Sequence, residues 1–442
     1  MTYQQATDYL MSFMDREKVP GQKYKEENYN LQEFRNFLAD LGNPQNSFKS
    51  ILISGTKGKG STAALIESAL RHQGLKTGLY TSPHLISFCE RIKIDGKNIL
   101  EKDFAQRLEW LKPFLEKKKE QPGFPGNSVF EILTAMAFLY FQEVGVEWAV
   151  LEVGVGGRLD CTNVVNPRVA VITNISLDHT DILGDKIAQI ATEKAGIIRQ
   201  DSLVVTAPQP TEALKVIMKK CQDSLARLFQ IGRDVGFRVT EQTPKSISID
   251  LAGTFGSMTN LEVGLPGDFQ AENAAIAFAA LRSLQYRNLI LSDNVIRAGF
   301  KSVNWPGRMQ QVSWDPVMVV DGAHNGYSAK RLRDSLDKVY PGCGRVAVLG
   351  ISANKDIAAI VKNLVPGCQA VVITKAKHSR AASPGNIRQE VIKHSVAAVV
   401  TENLPEAIAK AKQLISSNDI IIITGSLFLV GEALELLGEK AG

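Results

Sequence analysis

The sequence predicts an α/β protein of two domains, each built on a parallel sheet that is covered by helices. Short apolar segments alternate with helical segments from Ile51 to about Ala207, which is typical of a parallel sheet with helices on both faces. A second alternating series follows Asn304, and a chain of 442 residues is long for a single core. A glycine-rich segment between the first apolar strand and the next helix has the context of a phosphate-binding loop (P-loop).

This loop follows an apolar strand at Ile51, and the helix after it is expected to end near Gly74. Glycines let backbone N–H groups surround an anion, and the helix N-terminus adds its own unpaired N–H groups. Lys59 would supply positive charge to the terminal phosphates, and Ser61 could reach a magnesium ion. The spacing is not that of the generic loop, so an ordinary glycine-rich turn is the alternative. The predicted ATP-binding residues of the loop are Gly55, Thr56, Lys57, Gly58, Lys59, Gly60 and Ser61.

Further elements of the N-terminal domain follow from the same patterns. The first fifty residues read as helices that stop at the turn 41–44. Segment 237–263 alternates polar and apolar residues between glycines, which predicts antiparallel hairpins at one edge of the sheet. Strands are predicted at 148–153, 169–173 and 203–206, and helices at 129–144, 187–197, 273–284 and 292–301.

The segment Asn304-Trp305-Pro306-Gly307 is the best candidate for a hinge. Five strand–helix repeats after it predict a smaller, doubly wound, Rossmann-like domain. The strands of this domain are predicted at 317–320, 346–349, 370–373, 397–401 and 420–424. We therefore predict an N-terminal ATP-binding domain at 1–303, a hinge at 304–309 and a C-terminal domain at 310–442.

Several polar residues lie just after predicted strands, where ligands bind in open parallel sheets. Glu152 precedes a glycine-rich segment, and its carboxylate suits magnesium, although a salt-bridged edge carboxylate is the alternative. His179 follows the next strand and is either a ligand or an ordinary surface or core histidine. Asp321 and His324 follow the first strand of the second domain, and Arg308 at the hinge could reach phosphates.

The amino-acid composition limits the binding partners and the cellular compartment that we expect for this protein. A net charge of +5 from scattered lysines gives no indication of a nucleic-acid partner. The five cysteines form no C-x-x-C pair, so free thiols in a reducing cytosol fit better than a zinc site or disulfides. No secretory signal and no run of membrane-spanning length is present. We expect a cytoplasmic protein without a membrane partner, and a monomer, although the sequence does not specify the oligomeric state.

The ordered motifs resemble those of the folylpolyglutamate synthase and dihydrofolate synthase family, within the Mur ligase superfamily. The resemblance covers nearly the whole chain, from position 41 to 425. It implies ATP-dependent joining of L-glutamate to the carboxylate of a reduced folate or dihydropteroate, through an acyl phosphate. The segments that carry it are GTKGKGS at 55–61, YTSPH at 80–84, FCER at 88–91, LEVGVGGRLD at 151–160, SLDH at 176–179, EKAGI at 193–197, DGAHN at 321–325 and TGS at 424–426.

The resemblance also implies roles for single residues. Lys59 resembles the phosphate-loop lysine of the family. Ser82 and Glu152 resemble ligands of one magnesium ion, and His179 resembles a ligand of a second. Lys194 ends a predicted helix, where a cation is ordinary, but it resembles a lysine that is carbamylated in this family. The implied catalytic residues are Lys59, Lys194 and His179.

Further contacts follow from the same resemblance. The resemblance implies contacts with the nucleotide for four residues: Asn273, Arg308, Asp321 and His324. A segment that borders the pterin site in some members corresponds to Asp160, Cys161 and Thr162. Three positions depart from the usual pattern: Lys57 where Asn is frequent, Cys161 in place of Ala, and Gly326 in place of Pro. These departures leave nucleotide affinity and substrate preference open.

Three other functions compete with the folate ligase. A phosphotransferase or nucleotide-driven switch could use the same loop, but it would not require a second nucleotide-contacting domain after Arg308. A non-catalytic nucleotide-binding module leaves Glu152, His179 and Lys194 unexplained. A Mur-type ligase of a cell-wall precursor usually carries an additional N-terminal domain, for which the short helical lead has no room. The sequence does not decide between dihydrofolate synthesis, polyglutamate extension and both.

Overall fold

The computed structural model describes residues 1–14, 29–119, 127–378 and 380–438. Two helices, α1 (Tyr3–Met11) and α2 (Leu31–Asp40), form the described part of the predicted helical lead. The rest of that lead, at 15–28, lies outside the described residues. Thr2 begins α1 with a capping box, in which its hydroxyl accepts the N–H of Gln5.

The first large sheet has eight strands in the order β4-β3-β2-β5-β1-β6-β7-β8. Its pairs are parallel, except that β3 runs antiparallel to both β2 and β4. The strands are β1 (Lys49–Ser54), β2 (Thr77–Tyr80), β3 (Ile92–Ile94), β4 (Lys97–Asn98), β5 (Trp148–Glu152), β6 (Val169–Ile172), β7 (Leu203–Thr206) and β8 (Arg227–Gln230). The helices between and after them are α3 (Lys59–His72), α4 (Glu101–Lys119), α5 (Val129–Val144), α6 (Thr180–Leu183), α7 (Ile187–Ala195), α8 (Thr211–Asp223), α9 (Phe269–Ser283) and α10 (Asp293–Lys301).

Both faces of this sheet are buried, as a parallel sheet requires. In β1, Ile51 and Ile53 point into one apolar cluster, and Leu52 points into the cluster on the opposite face. All three side chains are fully buried. The continuous apolar pattern of this strand therefore arises because helices cover the sheet from both sides.

The predicted antiparallel hairpins are present, but their predicted place at the edge of the large sheet is wrong. Three strands, β9 (Val235–Gln242), β10 (Ile247–Gly253) and β11 (Gly256–Val263), form a separate sheet. The apolar side of β10, with Ile247 and Ile249, is buried in the same cluster as α9. Burial of this face against helices, rather than hydrogen bonding to β8, determines where the hairpins lie.

The second domain contains a six-stranded sheet in the order β12-β13-β17-β14-β15-β16. Five parallel strands match the predicted ones, and an antiparallel edge strand, β12, was not predicted. The strands are β12 (Gln310–Trp314), β13 (Val317–Asp321), β14 (Arg345–Leu349), β15 (Ala370–Ile373), β16 (Ala397–Val400) and β17 (Ile420–Thr424). The helices are α11 (Gly326–Val339), α12 (Ile357–Leu364), α13 (Pro384–Ile392), α14 (Leu404–Leu414) and α15 (Leu427–Leu436).

The predicted fold class is confirmed: an N-terminal domain with a phosphate loop and a parallel sheet precedes a smaller α/β domain. Helices cover both faces of the second sheet as well, since Val319 lies in one apolar cluster and Val320 in the other. Among the described residues, no helix combines the length and the apolar character needed to cross a membrane.

Candidate active site

One cavity of about 1460 Å³ lies where the carboxyl ends of β1, β5 and β6 face the carboxyl end of β13. Residues of both domains line it. Gly55, Thr162 and Lys194 are predicted site residues that do not belong to its lining. The predicted site residues in its wall are Thr56, Lys57, Gly58, Lys59, Gly60, Ser61, Ser82, Glu152, Asp160, Cys161, His179, Asn273, Arg308, Asp321 and His324.

The phosphate loop needs two of its glycines for close contacts. Gly55 has φ +146° and Gly58 has φ +87°, backbone conformations that residues with a Cβ rarely adopt. A Cβ on Gly55 would lie 1.8 Å from the Thr173 hydroxyl oxygen, and one on Gly58 would lie 2.2 Å from Asn273 Oδ1. Lys59 follows as the first residue of α3, so the N-terminus of this helix opens into the cavity.

Glu152 is the last residue of β5 and lies beside the phosphate loop. Its Oε1 is 3.8 Å from Lys59 Nζ, and its Oε2 accepts a hydrogen bond from the Ser82 N–H at 3.3 Å. Burial raises the pKa of Glu152, although the charge of Lys59 and the Ser82 hydrogen bond oppose this shift. The carboxylate predicted at this strand end is thus held among hydrogen-bond donors and cations.

Glu152 and Ser82 fit a magnesium ion that arrives with a nucleotide. Within the described residues, no group of three or more His, Cys, Asp or Glu side chains could hold a metal by itself. Magnesium often binds through one or two carboxylates and takes its other oxygens from phosphates and water. A buried carboxylate beside a serine, at the edge of a phosphate loop, matches this donor set.

His179 lies in the same cavity wall, after β6. Its φ of +50° is left-handed, and its N–H donates to Asp178 Oδ1 at 3.1 Å. Burial lowers the pKa of His179 to about 4, although the charge of Asp178 opposes the shift. The imidazole is therefore neutral at pH 7, which is the form that binds metal ions.

Lys194 lies near the end of α7, directly behind the loop. Its Nζ donates a hydrogen bond of 2.7 Å to the Gly55 carbonyl oxygen, and the side chain is buried. Burial, followed by the charge of Lys59, lowers the pKa of Lys194 to about 7. A large share of this amine is therefore uncharged near neutral pH, which is unusual for a lysine.

The second domain contributes a buried carboxylate at the end of β13. Asp321 accepts the N–H of Met309 at 2.9 Å and the N–H of Ala323 at 2.8 Å. Burial raises the pKa of Asp321, and the charge of Arg308 opposes this shift. The Thr424 hydroxyl donates to the Asp321 carbonyl oxygen at 2.8 Å, which ties the ends of β13 and β17 together. Asp321 and Arg308 therefore face the cavity from a sheet edge that this hydrogen bond stabilises.

Lys57 contacts both domains. Its Nζ lies 2.7 Å from Asp178 Oδ2 and 3.1 Å from His324 Nε2, and Lys355 Nζ lies 3.9 Å from Asp178 Oδ1. His324 Nδ1 lies 2.7 Å from the Gly322 carbonyl oxygen, so Nδ1 carries the proton and Nε2 accepts from Lys57. Sequence reasoning missed Asp178 and Lys355 as site residues; only the adjacency of Asp178 to His179 could have indicated the first.

For Lys57 and Asp178, burial and the neighbouring charges shift the pKa in opposite directions. Burial lowers the pKa of Lys57 to about 8, and the charge of Asp178 limits the shift. Burial alone would raise the pKa of Asp178, but Lys57, His179 and Lys355 outweigh it and hold that pKa well below its usual value. The pKa of His324 lies well below its usual value because the ring is buried and lies next to Lys57. Asp178 is thus an anion, and His324 is neutral.

The predicted substrate segment has mainly internal contacts. Asp160 accepts the N–H groups of Gly154 and Val155 at 3.0 and 3.2 Å, and that of Thr162 at 2.9 Å. These bonds shape the turn after β5, and Thr162 is fully buried. Cys161 belongs to the lining of the cavity, and its Sγ lies 3.2 Å from the Thr134 hydroxyl oxygen. Direct contact with a substrate is therefore open to Cys161 but not to Thr162.

An aromatic wall closes the part of the cavity that is nearest the N-terminal helices. His84 and Phe88 have ring centroids 4.4 Å apart, and Arg91 Nε donates to His84 Nδ1 at 3.0 Å. Phe130 adds a further aromatic ring to the lining of the cavity. These side chains were not predicted as site residues individually, although three of them lie in segments that carry the family resemblance. Such a wall suits a flat ring system.

Two families match the chain in succession. The Mur ligase middle domain matches residues 53–281, and the Mur ligase glutamate ligase domain matches residues 307–427. The two matches together include the phosphate loop, the residues at the strand ends of the first sheet and Asp321 at the end of β13 in the second sheet.

Individual relatives agree with these families. A dihydrofolate synthase/folylpolyglutamate synthase of Bacillus subtilis is 32% identical over 91% of this chain and 93% of its own length. A folylpolyglutamate synthase of Lacticaseibacillus casei is 32% identical over 100% of both chains. The structure of a Mycobacterium tuberculosis folylpolyglutamate synthase complexed with ADP superimposes with a TM-score of 0.91 at 32% identity, covering 100% of this chain and 99% of the other. The chain belongs to the folylpolyglutamate synthase and dihydrofolate synthase family of Mur ligases.

Proposed function

We propose that this protein is an ATP-dependent ligase that joins the amine of L-glutamate to the carboxylate of a reduced folate or of dihydropteroate. One observation carries the proposal. A phosphate loop with Lys59 and Glu152 shares a single cavity with Asp321 and Arg308 of the second domain. The family of the chain and the names of its relatives support the same reaction.

The reaction takes two steps. The substrate carboxylate attacks the γ-phosphorus of ATP, so an acyl phosphate forms and ADP leaves. The neutral amine of glutamate then attacks the acyl carbon, and inorganic phosphate leaves from the tetrahedral intermediate. Phosphoryl transfer requires neutralisation of negative charge on the phosphate oxygens. Lys59 and the N–H groups at the start of α3 supply this charge from the first domain, and Arg308 supplies it from the second.

Two magnesium sites belong to the proposal. Ser82 and Glu152 would hold one ion, and His179 would hold the other with help from Lys194 if that lysine is carbamylated. Bound magnesium reduces the repulsion between the substrate carboxylate and the polyphosphate. The lowered pKa of Lys194 supports the carbamate, since only an uncharged amine adds carbon dioxide. In this structure its amine is bonded to the Gly55 carbonyl oxygen and would have to turn away from it.

The nucleotide is proposed to lie across both domains. Gly55, Thr56, Gly58, Gly60 and Ser61 of the loop would surround its phosphates, and Asn273, Asp321 and His324 would contact it from the facing walls. We further propose that residues 1–303 and 310–442 are the two domains, with the hinge at 304–309. The hinge would permit the closure by which many enzymes complete a site of this kind.

The aromatic wall formed by His84, Phe88 and Phe130 is the proposed pterin site, with Cys161 beside it. The Bacillus subtilis relative is named for both dihydrofolate and folylpolyglutamate synthesis, so we propose that this chain performs both reactions. We also propose a cytoplasmic location, because all five cysteines are free thiols, which fits a reducing compartment. The monomeric state remains a prediction.

One assay tests the function. The protein is incubated with ATP, magnesium and L-glutamate, first with dihydropteroate and then with tetrahydrofolate, and phosphate release and product mass are measured. We expect phosphate release only when L-glutamate and one of the two pterin substrates are present together. The mass of that pterin substrate should increase by one glutamate residue. Phosphate transfer to another acceptor without glutamate would favour a phosphotransferase. The Lys59→Ala variant controls for contaminating ATPase activity.

A further inference from the structure

Lys57 connects the phosphate loop to the second domain. We propose that Lys57 and Asp178 are positioning residues that couple closure of the two domains to the placement of His179. The proposal rests on the ligase function proposed above. It assigns to the loop a role beyond phosphate binding.

The contacts form a bridge that crosses the domain boundary. From the first domain, Lys57 Nζ donates to Asp178 Oδ2 at 2.7 Å. The same ammonium lies 3.1 Å from Nε2 of His324 in the second domain. Lys355, also in the second domain, reaches to 3.9 Å from Asp178 Oδ1. Asp178 is therefore held by one cation from each domain.

The bridge ends at the backbone of His179. Asp178 Oδ1, the atom nearest Lys355, also accepts the His179 N–H at 3.1 Å. His179 has a left-handed φ of +50°, which is unfavourable for a residue with a side chain and needs support from its surroundings. A change at Asp178 therefore changes the support of His179.

The environment makes these contacts strong. The side chains of Lys57, Asp178 and Lys355 are only 18%, 14% and 20% exposed. Close charge pairs in desolvated interfaces show coupling of about tenfold or more in binding equilibria. The bridge also depends on this chain's own residue at position 57. An asparagine at this position would have a shorter and uncharged side chain and could not hold both Asp178 and His324.

The test uses variants that keep side-chain size. Lys57→Met removes the charge at similar length, Asp178→Asn removes the anion, and the double variant carries both changes. Lys219→Met is the matched control, because Lys219 is 77% exposed and its ion pair within the described part of the chain is with Asp223 on α8. Three quantities are measured: affinity for a non-hydrolysable ATP analogue, kcat of ligation, and the radius of gyration by small-angle X-ray scattering with and without the analogue.

We expect Lys57→Met to lower kcat at least tenfold, about 1.4 kcal/mol, and to lose only the part of the analogue affinity that depends on closure, since Lys59 and the loop still hold the phosphates. We expect the analogue to reduce the radius of gyration of the wild-type protein but not that of Lys57→Met. The double variant should be no worse than the poorer single variant by more than about twofold, because both changes break one bridge.

Other outcomes overturn the proposal. A large loss of analogue affinity with normal contraction would make Lys57 a phosphate ligand. Unchanged kcat and contraction, or multiplicative effects in the double variant, would show that the bridge has no role. If Lys57→Met does not fold, Lys57→Asn replaces it. Failure of the proposed ligase function would appear separately, as a wild-type protein that forms no product although its contraction depends on Lys57.

Discussion

Replacement of Lys194 by alanine tests whether this lysine works as a carbamate. Its Nζ is held 2.7 Å from the Gly55 carbonyl oxygen. Burial and the charge of Lys59 lower its pKa from 10.5 to about 7. At pH 7 about half of such amines are neutral, whereas an ordinary lysine is neutral in about one molecule in 3000. The buried site thus raises the form that adds carbon dioxide on the order of a thousandfold.

The expected effects follow from this pKa. Lys194→Ala should lower kcat about 100-fold or more, the usual loss when one group that stabilises the transition state is removed. At constant dissolved carbon dioxide, wild-type activity should fall as the pH drops below about 7, because protonation of the amine removes the carbamate. Above that pH the amine is neutral, but carbamate formation still releases a proton, so at constant dissolved carbon dioxide the carbamylated fraction keeps rising with pH, only less steeply, until Lys194 is fully carbamylated.

Three measurements distinguish a carbamate from a bare lysine. Protein prepared with ¹³C-bicarbonate should show a carbamate carbon resonance that is absent from Lys194→Ala. Short carboxylic acids such as formate should restore part of the activity of this variant by supplying the missing oxygens, but should not affect Lys219→Ala. An electron-density map of nucleotide-bound wild-type protein, prepared with bicarbonate, that shows a bare ammonium would refute the reasoning.

Three further predictions concern the proposed reaction. Lys59→Ala should lose nearly all ligase activity with an unchanged circular dichroism spectrum, and a residual kcat above about a tenth of the wild-type value, a loss under ~1.4 kcal/mol, would exclude the proposed role. Glu152→Gln should raise the magnesium concentration for half-maximal rate at least about threefold while the folate KM changes less, and an unchanged magnesium titration would make Glu152 structural. The folded fragment 1–303 should bind nucleotide without ligating glutamate, because Arg308 and Asp321 are missing; substantial ligation by it would contradict the two-domain site.

Much of the first domain could be predicted because local patterns determine it. An apolar strand, glycines and a lysine at the start of a helix are adjacent in sequence, and the structure has β1, the loop and α3 in that order. Glu152 and Asp321 could be predicted as strand-end carboxylates for the same reason. The resemblance to the family is confirmed by matches over most of the chain.

The parts that were missed depend on distant contacts. Lys57 meets Asp178 across 121 positions and His324 across 267 positions, so no local pattern could indicate the bridge. The alternation of β10 shows one apolar face correctly, but it does not show whether helices or a neighbouring strand will cover the strand. Asp160 was predicted as a substrate residue from resemblance alone; it lines the cavity, its oxygens accept N–H groups of its own turn, and its substrate role stays a prediction.

The charges around the loop suggest why a carbamate and magnesium belong together. His179 and His324 are neutral, so the lysine, arginine and carboxylate side chains determine the net charge around the loop. The cations are Lys57, Lys59, Lys194, Arg308 and Lys355, and the carboxylates are Glu152, Asp178 and Asp321. Lys194 is about half protonated at pH 7, so its carbamylation makes the local charge more negative by between one and two units, which offsets most of the charge of one magnesium ion. A second magnesium could then enter with little added positive charge, whereas beside an ammonium at Lys194 it would be repelled.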